Sequence, residues 1–302
     1  MVRWTWLVIL AAIVAAHSSQ KQVHPPGDDR HGLVLQGWSM QGTKMQGTKM
    51  QGTKMQGWNM QGTKLQGVDL EGAELVGVTE DGEPISGADF VGVTFQAVDS
   101  SGAALDILIA DAEADSPDVW LYTLLAKDAS GEWQNLCLVD PSGVAKATFF
   151  EGSWDDAGAW HGEKAVTIAC TEGVITKCTR WGYKPWELRD YHQACTRMAR
   201  ADYCGNGIPH THDGTWIDIW DDIPIQELEP APGMKFEASW TPTGAYCVAR
   251  ERYSNSIVDI LKECPEKISP PSQNDVLAGC HVKLTTADRS AIRTNNLSYP
   301  QP

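Results

Sequence analysis

The residues best equipped for chemistry lie in one short stretch. Cys204 is followed by His210, His212 and Asp213, and His192 precedes it by twelve positions. A thiolate, an imidazole base and a carboxylate that orients the base suffice for thiol hydrolysis, which marks Cys204, His210 and Asp213 as candidate catalytic residues. The stretch also offers a metal set, His192, His210 and His212 with Asp213, because His210 and His212 point the same way on an extended strand. Against zinc, the chain has no Cys-x-x-Cys and no His-x-x-x-His helix pair. A structural reading asks for less. Here Cys204 is bridged, Asp202 or Asp213 caps or turns the chain, and Gly205 and Gly207 supply positive φ. This reading is preferred, and the chain carries no G-x-S-x-G, H-E-x-x-H, P-loop or EF-hand signature that would add a second centre.

The element that must position these residues is a helix predicted from about Pro185 to Tyr203. Pro185 suits its first turn and Gly205 follows its end. Leu188, Tyr191, His192, Cys195, Met198, Ala199 and Asp202 recur at three- and four-residue steps, so one side is expected to be buried. Upstream, residues 105–110, 119–126, 133–139, 145–150 and 164–170 read as strands separated by turns. Downstream, residues 216–219 and 236–240 are β-like, the second in a hairpin turning at Pro242-Thr243-Gly244, and a short helix spans 256–264. The pattern predicts an α+β domain over residues 98–267, mainly antiparallel β with one principal helix, and a Pro-rich tail over 268–302.

Compartment decides how the cysteines are read. Residues 1–16 have the layout of a secretory signal, with Arg3, an apolar run from Trp6 to Ala15, and the small residues Val14-Ala15-Ala16 before His17. The run is shorter than the roughly 18–20 residues that span a membrane, and no later run is long enough. A cleaved leader is expected, with a secreted or periplasmic product and no integral membrane span after cleavage. Residues 17–32, with Pro25-Pro26-Gly27, read as a linker. Cys137, Cys170, Cys178, Cys195, Cys204, Cys247, Cys264 and Cys280 are even in number and lie downstream of the leader. In an oxidising compartment the expectation is four disulfides. Eight cysteines allow about a hundred pairings. Cys195 and Cys204 would sit about 13 Å apart along a helix, beyond the roughly 7 Å that a bridge allows, so they need different partners. Cys170 and Cys178 flank the turn signal Thr171-Glu172-Gly173-Val174 between β-like runs and are the favoured local pair.

The whole chain of 302 residues carries 24 Lys+Arg against 39 Asp+Glu, a net charge of −15. Of this, −13 falls in residues 98–302, which hold 17 basic and 30 acidic residues. Phosphate binding needs a cationic surface, so nucleic acid and anionic membranes are poor partners. Between Leu33 and Ala97 lie thirteen five-residue units whose third position is apolar in all but one, the exception being Glu80. A period of five is neither helical nor that of a strand, but it suits the face of a β-solenoid. The units VDLEG, AELVG and ADFVG resemble the pentapeptide-repeat family, which implies a short right-handed β-helix. The early units depart from the pattern through Lys44, Lys49, Lys54, Lys64, Trp38 and Trp58, and they fit a partly disordered stalk as well. Met40 to Met60 could offer thioethers to Cu(I), but a Met at each inward position is more simply core. The mimicry of duplex DNA seen in some pentapeptide-repeat proteins is disfavoured, because acidic residues cluster only in the later units and the leader removes the chain from the cytoplasm.

Two further motifs surround the reactive stretch. One is Ala201-Asp202-Tyr203-Cys204-Gly205, and the other is Pro209-His210-Thr211 followed by Asp213-Gly214-Thr215. With the preceding Trp181-Gly182-Tyr183-Lys184-Pro185-Trp186, they make residues of about 100–265 resemble the ADYC-domain family, secreted proteins mainly from myxobacteria. The resemblance assigns no activity. The expectation is an exported, non-enzymatic protein for surface recognition or scaffolding, with Trp residues as anchors for an extracellular protein or carbohydrate. The residues call for no cofactor. The alternative is an extracellular hydrolase or metal-dependent enzyme centred on Cys204–Asp213.

Overall fold

A computed structural model describes residues 63–79, 81–98, 104–127, 130–155, 157–212, 215–253, 256–267 and 292–296, with strand fragments between 40 and 60. The leader and linker expected over 1–32 lie outside the described residues. In chain order the strands are β1 (Met40–Gln41), β2 (Gln46–Gly47), β3 (Gln51–Gly52), β4 (Gln56–Met60), β5 (Thr63–Glu71), β6 (Glu74–Thr79), β7 (Pro84–Ser86), β8 (Val93–Val98) and β9 (Ala104–Ser116). They continue with β10 (Val119–Lys127), β11 (Trp133–Asn135), β12 (Ala147–Trp154), β13 (Trp160–Cys170), β14 (Ile217–Asp221), β15 (Lys235–Thr241), β16 (Gly244–Val248) and β17 (Ile292–Asn296). The helices are α1 (Val174–Arg180), α2 (Arg189–Arg200) and α3 (Ser256–Glu263). All pairings described are antiparallel, so the α+β expectation holds at the level of class.

The larger sheet has eleven strands, ordered β3-β13-β12-β10-β9-β8-β4-β5-β6-β7 with β11 on β10. Its core joins Leu75, Phe90, Val93 and Phe95 to Ile107, Ile109, Tyr122, Leu124 and Phe149. Leu75, Phe90 and Phe95 are third-position residues of the five-residue units, so that period does mark buried positions here. VDLEG and AELVG form the arms of a β5–β6 hairpin that turns through Gly72 at φ +64°. The β-helix expected of the earlier units falls largely outside the described residues. β8, made from the last unit, pairs with both β4 and β9, so the boundary expected at 97/98 runs through a continuous sheet.

β12 is buried on both faces. Phe149 belongs to the core just described, whereas Phe150 and Trp154 pack on the other side with Ile175 of α1. The second sheet, ordered β14-β17-β15-β16, closes the far side of α2 through Met198, Tyr203, Trp240, Ala245 and Ile292. With a sheet on each flank, α2 is buried at every residue from Tyr191 to Arg200. Sequence periodicity predicted one buried side, yet Gln193, Arg197 and Arg200, off that rhythm, are buried as well. The Pro242-Thr243 hairpin forms as expected, with Thr241 opposite Gly244. β17 lies within the segment 268–302 read as a tail, and its Ile292, Arg293 and Thr294 are buried at the centre of the second sheet.

Candidate functional site

The reactive stretch begins where α2 ends. The helix stops at Arg200, three residues short of the prediction, because Ala201 adopts the left-handed conformation (φ 51°, ψ 41°). The Asp202 amide then reaches back to the Arg197 carbonyl at 2.9 Å. This is the reversal usually given to glycine, and it costs a residue with a Cβ about 1 kcal/mol. The following side chains offset that cost. The Asp202 carboxylate, fully buried, accepts from Arg197 Nη1 at 2.6 Å and from the amides of Asn206 at 3.1 Å and Gly207 at 3.0 Å. Tyr203 stacks on Trp240 with ring centroids 5.1 Å apart. Its hydroxyl donates to Glu237 Oε1 and accepts from the Arg252 amide, both at 2.8 Å. Burial, followed by the nearby Glu237 charge, holds that phenol well above its ordinary value.

Arg252 completes the assembly. Its guanidinium grips both oxygens of Glu237 at 3.0–3.2 Å with neither side chain exposed. It also donates to the Met198 and Ala199 carbonyls at 2.9 and 3.2 Å and to Thr211 Oγ1 at 3.1 Å. A cation thus donates to carbonyls at the helix C-terminus, where the dipole favours it. Gly205 (φ +71°) lies so close to the β15–β16 turn that a Cβ would sit 2.0 Å from the Thr243 carbonyl oxygen. Cys204 is bonded to Cys264 at the end of α3.

The other bridges are Cys137–Cys170 and Cys178–Cys195, while Cys247 is disulfide-bonded to a partner outside the described residues. Cys195 and Cys204 have different partners, as helical geometry required. The favoured Cys170–Cys178 pair does not form. The residues after Gly173 start α1 rather than a strand, which turns Cys178 toward α2 and leaves Cys170 at the end of β13 bonded to Cys137. Cys280 falls outside the described residues.

A family model for the ADYC domain matches residues 87–254, more than half of the chain. The chain belongs to the ADYC-domain family. A model for pentapeptide repeats matches eight copies over residues 43–79, on the N-terminal side of the ADYC domain. No curated protein and no solved structure matches the chain.

Within the ADYC domain the candidate residues divide. The Cys204 sulfur, held in its disulfide, offers no thiolate for the nucleophilic reading. Asp213 and Gly214 lie outside the described residues. His192 is buried against Phe150 and Trp154, with Nε2 3.0 Å from the Ile175 carbonyl. His210 packs on Tyr203 with its Nε2 buried and without a hydrogen-bond partner among the described residues, and burial lowers its pKa. His212 is exposed and meets the Tyr253 ring edge-on at 4.3 Å. The three imidazoles form no metal-sized group among the described residues. The one group of metal-ligand types there is Cys137, Cys170 and Glu172, whose two sulfurs are already bonded to each other.

Burial lowers the His192 pKa to about 4 from 6.5. The unfolded chain therefore takes up a proton that the folded chain refuses. Stability is complete above pH ~6.5 and falls as pH drops toward ~4, by about 3 kcal/mol in all. Thermal melts between pH 7 and 4.5 should show a steeper decline for the native chain than for His192→Gln, which keeps a donor for Ile175 but does not titrate.

A cleft of about 320 Å³ opens beside edge strand β14. Trp181, Trp216, Asp218, Glu227, Glu229 and Met234 line it, with Thr215, Ile217, Ile219, Gln226 and Ala231. The loop that forms its outer wall is pinned. Asp221 accepts from the amides of Ile223 and Gln226 at 2.7 and 2.9 Å and from Tyr183 Oη at 2.7 Å. Asp218 accepts from the Glu229 amide at 3.0 Å, and the Gln226 amide group donates to the Trp181 carbonyl at 2.8 Å. Asp222 takes a two-pronged bond from Arg293 at 2.7 and 2.8 Å. The second motif, whose Thr211 is held by Arg252, reaches this cleft through Thr215, whose hydroxyl donates to the His212 carbonyl at 2.7 Å and sits 2.5 Å from Tyr253 Oη. The next residue is Trp216, with 53% of its surface exposed. Sequence reasoning missed Arg197, Glu237, Arg252 and this cleft. The one available signal was Glu237 between Phe236 and Ala238 in the strand-like run Phe236–Trp240.

Proposed function

We propose that this protein is an exported, non-catalytic recognition module in which the ADYC motif is an architectural lock and the cleft at Trp216 is the binding surface. The observation that carries the reading is the engagement of the motif's own polar groups. Asp202, Tyr203 and Cys204 are each committed inside the fold, to an ion pair, a buried hydroxyl bridge and a disulfide. The cleft, in contrast, presents carboxylates and an exposed indole to solvent. Cystine bridges are the state expected in an oxidising compartment, and no described helix is long and apolar enough to cross a membrane. The five-residue units before β3 act as a spacer between leader and domain.

Thiol titration of the purified chain, folded and in denaturant, should find no free thiol in either state. A reactive thiol at Cys204 would overturn the reading in favour of a hydrolase centred on Cys204, His210 and Asp213.

A further inference from the structure

We infer that the Trp216 cleft binds an organic cation, a protonated amine or guanidinium on an apolar stem. The inference rests on the reading of this cleft as a recognition surface and adds the class of its guest. Three observations lead to it. First, the lining includes three carboxylates, Asp218, Glu227 and Glu229, and no Lys, Arg or His. Second, its neutral hydrogen-bonding side chains are already committed: Gln226 to the Trp181 carbonyl, and Thr215 to His212 and Tyr253. Beside the indole N–H groups of Trp181 and Trp216, the side chains left to a guest are carboxylate acceptors, which suits a guest rich in donors. Third, Trp216 supplies an exposed indole face, with Ile217, Ile219 and Met234 beside it, a wall for an alkyl stem and a π-face for its charged head.

The cleft is also formed in advance. Bonds from the Asp218, Asp221 and Asp222 carboxylates hold the loop that carries Glu227 and Glu229, so a guest need not order that backbone. The domain's net negative charge draws cations from a distance but selects none. Selection comes from the pairing of indole and carboxylates in one concave site.

The test is calorimetric titration of the full chain with tri-lysine amide, with its tris-(Nε-acetyl) analogue, with spermidine and with cellobiose. Tri-lysine amide or spermidine should bind, and the acetylated peptide, equal in stem but keeping only its α-ammonium charge, should bind at least about tenfold more weakly. Binding of the peptide alone places the cation on a polypeptide partner, and binding of spermidine as well admits a free polyamine. Trp216→Ala should weaken binding about tenfold, and Glu227→Gln with Glu229→Gln about fivefold. Glu83→Gln with Glu151→Gln removes the same charge from surface outside the cleft and should leave affinity unchanged. Equal loss in that control pair would reduce the effect to diffuse charge and overturn the inference. Cellobiose binding that depends on Trp216, without cation binding, would overturn the guest class and leave the recognition reading intact. No binding by any probe would overturn both.

Discussion

Replacing Arg252 by Ala should cost about 3–5 kcal/mol of folding stability, the range for breaking a buried ion pair. The loss has a specific origin. Glu237 would remain fully buried with its carboxylate facing no cation, the Ala199 carbonyl would lose its guanidinium donor, and the Met198 carbonyl would keep only the Ala201 amide at the C-terminus of α2. The Tyr203 hydroxyl would still reach Glu237, but one neutral donor cannot replace a guanidinium. Desolvation cost, not the pair's attraction, is what the single variant exposes. The double variant Arg252→Met with Glu237→Leu should therefore recover most of the loss, since it leaves no charge stranded. Urea unfolding midpoints of the three chains measure this directly. A double variant as unstable as Arg252→Ala would show that the polar contacts to the helix end matter more than the stranded charge.

The second large effect concerns the Cys204–Cys264 bridge. It closes a loop across 60 positions and ties the motif to the end of α3. Loop-closure entropy for that separation amounts to about 4 kcal/mol. Typical domains have a stability of about 5–15 kcal/mol. Cys204→Ala with Cys264→Ala should shift the denaturation midpoint accordingly, and the unfolded state should show the change, because the bridge acts mainly by restricting it. A change below about 1 kcal/mol would mean that the unfolded chain is already compact across this segment.

The parts of the fold that sequence reading reached are those governed by local patterning. Alternation placed the strands around β9, β10, β12 and β13, the three- and four-residue rhythm placed α2, and Pro242-Thr243-Gly244 placed a hairpin. The period of five located Leu75, Phe90 and Phe95 in the core, although the described strands there pair antiparallel. The misses arose where tertiary contacts outweighed local preference. Val174-Ile175-Thr176 is a β-branched run that reads as strand. Packed between β13 and α2 it is helical instead, and this change alone redirected two disulfides. β17 is short and mostly polar, and it is a strand because two others hold it between them. The lock at the end of α2 joins Arg197 and Asp202 to Glu237 and Arg252 from later in the chain, and periodicity reached Asp202 but not the burial of the other three. The cleft depends on a loop folded back through aspartate side chains, a feature of long-range bonding rather than composition.

On the proposed reading the ADYC motif holds the domain together and leaves recognition to the cleft. Tyr203→Phe tests it with the loss of one oxygen atom and almost no change in volume. Removing the hydroxyl leaves the Arg252 amide without its acceptor and takes one donor from Glu237, which should lower stability by about 1–3 kcal/mol. At temperatures where the variant is folded, its affinity for tri-lysine amide should equal that of the native chain. Native stability combined with lost binding would contradict the account and place the Tyr203 hydroxyl in the functional site itself.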